Sequence, residues 1–200
     1  MSEDAPRPDP RKVRTERDIT AALVQVLTEG RPFRKVTVAD ICAAALVSRS
    51  TFYDHYLDKY DLLTRMVEDI DTQVARVLED RFRPGADFST CLRAISDGLF
   101  RTHREEMAAL LLIHEPEGDL ELRLTATFTK AFRATLDDMP ERELVADLYA
   151  ACALVLLRRS LDKRLSDAEV ALVDHLQSVA ISSLAPESSA AESSRSTPTH

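Results

Sequence analysis

The chain has little glycine, few cysteines and no long hydrophobic run. Its 200 residues include 4 glycines and 9 prolines, and the prolines concentrate at the two ends and at a few internal breaks. No segment alternates convincingly between apolar and polar residues, which is the pattern of a half-buried strand. The sequence therefore predicts an all-α protein and requires no strand anywhere.

The cysteines and histidines argue against a disulfide framework and against a bound metal. Cys42, Cys91 and Cys152 are scattered in apolar helical stretches, are odd in number and show no C-x-x-C spacing. Disulfide frameworks and zinc sites are normally recognised in a sequence by regular cysteine spacing. His103 and His114 lie eleven positions apart, which matches no ligand pair on one helix. We therefore expect no metal and no cofactor.

The longest apolar run is too short to cross a membrane. It extends from Leu148 to Leu157, ten residues, whereas a membrane-spanning helix needs roughly 20. The N-terminus also lacks the charged and then apolar pattern of a secretory leader. We therefore expect a cytoplasmic protein without a membrane partner.

The net charge of −8 is distributed unevenly along the chain. Residues 1–60 carry 10 basic and 9 acidic side chains, whereas residues 61–200 carry 16 basic and 25 acidic ones. Several basic residues cluster just before and inside the first predicted helix: Arg7, Arg11, Lys12, Arg14 and Arg17. Positive charge at this place suits contact with a nucleic acid backbone, and the acidic remainder would limit non-specific binding.

Breaks in the helical pattern divide the chain into four parts. Residues 1–10 are polar and proline-rich and are predicted to be a disordered basic arm, and residues 186–200 a disordered low-complexity tail. Between them we expect a small N-terminal domain at 11–57 and a larger helical domain at 58–185. A long helix from Asp58 to about Arg81 would connect the two domains.

Two short helices joined by a tight turn are predicted between Val36 and Lys59. Thr37 and Asp40 form an acidic variant of the capping box, which opens one helix, and Ser48 can cap the next. In that second helix Phe52 and Tyr56 fall on one face, where they can close a small core. Arg49, Ser50 and Tyr53 then project together from the opposite face, which is the layout of a DNA-reading helix-turn-helix.

This segment resembles the DNA-binding module of the TetR/AcrR family of bacterial transcriptional regulators. The family pattern is T-V-x-D-I-A-x-x-A-G-V-S-x-x-T-F-Y-x-H-F-x-x-K-x-x-L. The chain matches it at Thr37, Val38, Asp40, Ile41, Ala45, Val47, Ser48, Thr51, Phe52, Tyr53, His55, Tyr56, Lys59 and Leu62. The detailed resemblance covers about the first third of the chain. It implies a three-helix N-terminal domain joined by a long fourth helix to a helical ligand-binding and dimerisation domain.

The chain departs from the family pattern at two positions. Leu46 replaces the usual turn glycine, and if the turn needs a positive φ a leucine there costs roughly 1 to 2 kcal/mol. Alternatively, the turn adopts a right-handed variant. Cys42 replaces a small alanine, a mild change of volume that a buried cysteine can fill.

The resemblance and the helix geometry together predict a set of DNA-binding residues. Arg49 is the candidate for guanine recognition, and Tyr53 for contact with a thymine methyl group or a phosphate. By carry-over from the family, Thr37, Thr51, His55 and Lys59 are expected to position phosphates, although each can instead be only a cap or a surface residue. The full predicted set is Thr37, Ser48, Arg49, Ser50, Thr51, Tyr53, His55 and Lys59.

The C-terminal part offers candidates for an effector pocket and for a dimer interface. Residues that could line a pocket, or simply form core, are Phe100, Met107, Phe128, Phe132 and Tyr149. The run from Leu148 to Leu157 is hydrophobic around the whole helix and needs cover on two sides. That cover is either a monomeric core or the last helix and a second copy of the chain. The dimer interpretation predicts an interface at Leu156, Val173, Leu176 and Ala180.

The resemblance thus implies a ligand-responsive transcriptional regulator that binds a palindromic DNA operator as a homodimer, with repression as the expected mode. No common catalytic motif is present, so we expect no enzyme. One alternative is a co-regulator of the same fold that acts through protein contacts without binding DNA. Another is a helical small-molecule-binding bundle with a vestigial N-terminal domain.

Overall fold

The computed structural model describes residues 9–82, 103–136, 140–162, 166–169, 171–172 and 175. Those residues form helices and connecting turns and contain no strand. The α-helices are α1 (Pro10–Thr28), α2 (Val38–Ala45), α3 (Arg49–Tyr53), α4 (Lys59–Arg81), α5 (Arg104–Leu110), α6 (Leu120–Arg133) and α7 (Arg142–Asp162), with a 3-10 turn at Phe33–Lys35. The predicted all-α fold is confirmed.

Side-chain caps start the helices where the sequence predicts them. Thr37 Oγ1 accepts a hydrogen bond from the Asp40 N–H, and Asp40 Oδ2 accepts one from the Thr37 N–H at 2.9 Å, which completes the capping box of α2. Ser48 caps α3, and Asp58 caps α4 by accepting hydrogen bonds from two backbone N–H groups. A capping box of Ser166 and Glu169 is also present.

The ends of two helices differ from the sequence prediction. The apolar pattern predicts a first helix from about Lys12, but α1 begins at Pro10, because a proline suits the first helical position and Asp9 caps the helix through the Arg11 N–H. Helix α5 ends at Leu110, although the pattern predicts a helix to His114. Pro116 disfavours helical backbone at the residue before it, and the His114 side chain instead contacts Asp119, which caps α6.

The core of the N-terminal part is formed by α1 and the helix-turn-helix. The predicted apolar stripe of α1 is buried throughout: Ile19, Ala22, Leu23, Val26 and Leu27. Phe52 is fully buried and Tyr56 nearly so, and their ring centroids lie 5.6 Å apart. These two rings hold α3 against α1 and α2, so one side of α3 is fixed and the other faces outward.

Helix α4 connects this core to the remainder of the chain. Its buried residues continue from the N-terminal core into the rest of the molecule: Leu62, Leu63, Met66, Val67, Ile70, Val74 and Leu78. The loop before α6 packs closely on α4, since a Cβ added at Gly118 would lie 2.4 Å from Leu63 Cγ. Among the described residues, none forms a helix with the length and apolar character needed to cross a bilayer.

Helix α7 has apolar residues on opposite sides. Residues of one side are buried, among them Ala146, Ala150, Leu154, Leu157 and Leu161. A second stripe is exposed and contains Leu144, Leu148, Cys152 and Val155. The two stripes are offset by about two residues, which is roughly 200° around a helix, so the structure leaves one apolar face of α7 in contact with solvent.

Candidate nucleic-acid interface

The turn between α2 and α3 has the left-handed backbone that the usual glycine would provide. Leu46 has φ 57° and ψ 35°, and it is the one non-glycine residue with positive φ in the described part of the chain. Its side chain is 92% exposed. Of the two alternatives that the sequence leaves open, the structure therefore shows the left-handed turn. Because the leucine side chain is exposed, its packing does little to offset the backbone strain.

Hydrogen bonds on both sides of this turn fix the start of α3. The Val47 N–H donates to the Cys42 carbonyl at 3.1 Å, and the Cys42 thiol lies 3.9 Å from the Ser48 carbonyl. Ser48 Oγ accepts from the Thr51 N–H at 3.0 Å and shares a hydrogen bond with Thr51 Oγ1 at 2.9 Å. Burial raises the pKa of the Cys42 thiol, so this side chain stays a neutral donor in the core.

The outer face of α3 presents three side chains to solvent. Arg49 and Ser50 are exposed, and Tyr53 is 55% exposed. None of the three forms a side-chain hydrogen bond within the described residues. The Tyr53 ring is held at its inner edge by Phe52, with a centroid distance of 5.6 Å and an interplanar angle of 90°. The structure thus brings together a guanidinium, a hydroxyl and a phenol on one accessible face.

Thr37 lies at the start of α2, beside an ion pair that the sequence does not predict. Arg31 Nη1 lies 2.7 Å from Asp40 Oδ1, and Thr37 Oγ1 donates to Asp40 Oδ2 at 2.7 Å. Hydrogen bonds from the Thr37 hydroxyl and backbone and from Arg31 lower the pKa of Asp40 to about 2. Thr37 is exposed, but its hydroxyl proton is used within the domain.

His55 has an internal partner. Its Nδ1 lies 3.2 Å from Glu16 Oε1 on α1, and its side chain is only 8% exposed. The His55 ring also packs beside Tyr56, with 6.2 Å between the ring centroids. In this position the imidazole connects the residues that follow α3 to α1.

Lys59 also turns inward. Its Nζ donates to the carbonyl oxygens of Phe33, Arg34 and Val36 at 3.0, 3.1 and 2.8 Å. The same nitrogen lies 4.7 Å from the Phe33 ring centroid and 5.1 Å from that of Tyr60. We call this group the Lys59 junction: Lys59, the three carbonyl groups and the two rings.

Exposed positive charge lies on α1. Arg11, Lys12, Arg14 and Arg17 are exposed on α1, and Arg7 lies outside the described residues.

Arg34 is paired with Glu115 at 2.7 Å, an ion pair across 81 residues that no local sequence pattern could have indicated. This pair joins the 3-10 turn to the loop before α6.

The candidate pocket residues form packed contacts. Phe132 and Tyr149 stack with a centroid distance of 4.0 Å and an interplanar angle of 5°, and Phe82 lies 5.9 Å from both rings. Met107 and Phe128 are buried in the main core, and Phe100 lies outside the described residues. A groove of about 1180 Å³ lies elsewhere, between α1, α4 and the start of α5.

The predicted dimer residues lie mostly outside the described part of the chain. Leu156 is half-buried on α7, whereas Val173, Leu176 and Ala180 are outside the described residues. Among the described residues, no group of three or more His, Cys, Asp or Glu side chains could hold a metal ion.

Comparison with known proteins places the helix-turn-helix in a family. The model for bacterial regulatory proteins of the tetR family matches residues 19–66. A curated relative, the uncharacterized HTH-type transcriptional regulator YxbF of Bacillus subtilis (strain 168), is 38% identical over 60 residues. That alignment covers 30% of this chain and 16% of the relative's own length.

Solved structures share the fold over most of the chain. Salmonella enterica GusR has a TM-score of 0.62 at 15% identity and covers 85% of this chain and 96% of its own. A gamma-butyrolactone receptor (ArpA-like protein) has a TM-score of 0.53 at 18% identity, with 88% and 100% covered. The dihydroxyacetone kinase operon activator DhaS has a TM-score of 0.53 at 14% identity, with 86% and 97% covered. At these identities the likeness shows the fold.

The family match confirms, over residues 19–66, the resemblance read from the sequence. The matched segment contains the capped α2, the left-handed turn and the exposed face of α3. Residues 19–66 are therefore similar to the DNA-binding domain of the tetR family of bacterial regulatory proteins.

Proposed function

We propose that the protein is a ligand-responsive repressor that binds a palindromic DNA operator as a homodimer. The observation that carries the proposal is the face of α3. Arg49, Ser50 and Tyr53 are exposed together, while Phe52 and Tyr56 hold the opposite side in the core. A helix fixed in this way can enter a major groove, where an arginine can bind a guanine through two hydrogen bonds.

Exposed positive charge supports the same role. Arg11, Lys12, Arg14 and Arg17 are exposed on α1, where Arg14 lies 4.0 Å from Asp18. Contacts of this kind attach a protein to phosphates and set its orientation without reading sequence. Thr37, Ser48 and Thr51 stay predicted DNA-binding residues, with Thr37 and Thr51 as the phosphate contacts, because they lie at the starts of α2 and α3.

The homodimer is supported by α7. Leu144, Leu148, Cys152 and Val155 form an exposed stripe that continues for nearly three helical turns. A monomeric protein rarely leaves so continuous an apolar stripe in water. A second copy would bury it against the same stripe, as expected for a two-fold interface. Two recognition helices would then face half-sites about 34 to 36 Å apart.

The effector domain would comprise α5 to α7 together with the body of α4. An effector favours release from DNA only if it binds one spacing of the two recognition helices more tightly than the other. Among proteins of the same fold, one is named a gamma-butyrolactone receptor, which supports a small-molecule effector here. Because the proposed partner is a DNA operator, we place the protein in the cytoplasm.

The test begins with selection from a random duplex DNA library by the full-length protein, followed by titration of the enriched sequence over a salt series. We expect an enriched palindrome and a dissociation constant that rises steeply with salt. Arg49→Ala and Tyr53→Ala should lose preference for that palindrome. Arg76→Ala is the matched control, because it removes one positive charge from an exposed position on α4 away from α3.

The outcomes separate the proposed function from its alternative. Enrichment of a palindrome that is lost in the α3 variants and kept in Arg76→Ala supports a DNA-binding dimer. No enrichment and no salt-sensitive binding by the unaltered protein would contradict it and favour the co-regulator that acts through protein contacts.

A further inference from the structure

In the Lys59 junction, every N–H group of the lysine ammonium is used within the protein, so none is left to bind DNA. A lysine ammonium has three N–H groups, and the three are directed at the carbonyl oxygens of Phe33, Arg34 and Val36 at 2.8 to 3.1 Å. The faces of two aromatic rings cover the same nitrogen within 4.7 and 5.1 Å. A phosphate contact by this side chain would require that these interactions break.

The junction connects the first residues of two helices. Lys59 is the first residue of α4, and Val36 directly precedes Thr37, the cap of α2. Phe33 and Val36 are buried, at 5% and 1% exposure, so the segment that accepts the hydrogen bonds is itself fixed in the core. The ammonium therefore fixes the start of α2 relative to the start of α4.

The recognition helix lies in the chain between these two fixed points. Helix α3 begins four residues after α2 ends and finishes six residues before Lys59. At its far end the Leu57 N–H donates to Asp61 Oδ2 in the first turn of α4 at 2.9 Å. A shift of α4 relative to α2 would therefore turn or displace α3.

The same segment also reaches the larger domain. The Arg34 carbonyl accepts a hydrogen bond from Lys59, while the Arg34 guanidinium pairs with Glu115 at 2.7 Å. Close by, Thr64 Oγ1 donates to the Glu117 carbonyl at 2.9 Å. The loop before α6 and the start of α4 thus contact the segment that Lys59 holds.

We infer that Lys59 is a positioning residue, which sets the orientation of the recognition helix through the Lys59 junction and does not bind phosphate. This inference rests on the proposed DNA-binding function. It predicts that Lys59 affects how well the operator is distinguished from other DNA, and that it leaves the number of phosphate contacts unchanged.

The principal variant is Lys59→Met, which keeps most of the side-chain stem and removes the charge and the three donors. We expect specific affinity for the selected operator to fall at least tenfold, with unchanged affinity for random DNA. The slope of log affinity against log salt should also stay unchanged, since loss of one phosphate contact would reduce it by about 0.9. Lys12→Met, at an exposed position on α1, is the comparator expected to reduce that slope.

A second variant separates positioning from a general loss of stability. Leu46→Gly relieves the left-handed leucine at an exposed site and should raise the melting temperature by a few degrees. In the double variant Lys59→Met with Leu46→Gly, we expect the melting temperature to recover and the specific affinity to stay low. Recovery of both together would show a merely structural role and overturn the inference.

Lys59→Arg gives an answer even if Lys59→Met fails to fold. The guanidinium keeps the charge. Its N–H donors lie in one plane, however, so they cannot reach three carbonyl oxygens grouped around one nitrogen as an ammonium does. We expect reduced specific affinity with an unchanged salt slope. Full affinity in Lys59→Arg, a reduced slope in Lys59→Met, or no effect of either substitution would overturn the inference. Failure of the unaltered protein to select DNA would instead contradict the proposed function.

Discussion

Helices α3 and α7 expose opposite kinds of surface, although one side of each is buried in the core. In α3, Phe52 is buried and the outer face carries Arg49, Ser50 and Tyr53. In α7, leucine and alanine side chains are buried on one side, while Leu144, Leu148 and Val155 are about 60% exposed on the other. The outer face of α3 is therefore polar, whereas α7 has an apolar face that the described residues leave exposed.

This difference separates two kinds of recognition. The polar face of α3 suits a partner with a pattern of donors and acceptors, such as the major groove. The apolar face of α7 suits a partner that excludes water over a continuous area, such as a second copy of the same stripe. Substitutions on one face should leave the activity of the other intact, and the following predictions test that separation.

The largest effect is expected from a charge on the exposed stripe of α7. Leu148→Glu places a carboxylate in the proposed dimer interface. Dimerisation should become weaker by about 2 to 4 kcal/mol, as for central interface residues. Sedimentation equilibrium measures the change. The matched control is Leu122→Glu, which introduces the same charge at an exposed leucine of α6 outside the stripe. Equal dimerisation of the two variants would contradict the interface.

The next effect concerns DNA recognition by α3. Arg49→Ala should weaken binding to the selected operator by about 1 to 3 kcal/mol, the usual contribution of a two-hydrogen-bond contact between arginine and guanine. Fluorescence anisotropy at fixed salt gives the dissociation constants. Arg76→Ala should change the affinity far less, and dimerisation should be the same in both. A similar loss in both variants would show a general charge effect.

A smaller effect should follow from relief of the turn. Leu46 adopts φ 57° with its side chain almost fully exposed, so glycine removes backbone strain and loses little packing. We expect Leu46→Gly to raise the free energy of unfolding by about 1 kcal/mol, after the added chain entropy of glycine is subtracted. Leu46→Ala is the control, because it keeps the Cβ atom and should give no comparable gain in urea denaturation.

The smallest effect is the acid dependence of the N-terminal domain. The folded pKa of Asp40 is about 2, lowered from an ordinary value of 3.8. A depressed carboxyl pKa stabilises the fold fully above the unfolded pKa, and this contribution is lost as the pH falls through the folded value. The melting temperature should therefore fall between pH 4 and pH 2 more steeply than in Asp40→Asn. Parallel curves would contradict a stabilising role for Asp40.

Local patterns accounted for the helix-turn-helix. The capping box of Thr37 and Asp40, the cap at Ser48 and the inward rings of Phe52 and Tyr56 depend on residues at most four positions apart. Their geometry follows from helix periodicity alone. For the same reason the outer face of α3 could be predicted from the sequence.

Side-chain partners distant in sequence could not be predicted in this way. The inward turn of Lys59 depends on carbonyl groups 23 to 26 residues away, and the Arg34 pair on a residue 81 positions away. His55 and Glu16 are separated by 39 positions. Sequence patterns indicate that such residues are polar and sometimes that they resemble a family motif, but they do not show which way a flexible side chain turns.

The most direct test of the central claim is the number of chains bound to one palindromic duplex, measured by native mass spectrometry for the unaltered protein and for Leu148→Glu. The account predicts two unaltered chains on each duplex, and weak binding of single Leu148→Glu chains to separate half-sites. A single unaltered chain on the full palindrome, or two tightly bound chains of Leu148→Glu, would contradict the division of roles between α3 and α7.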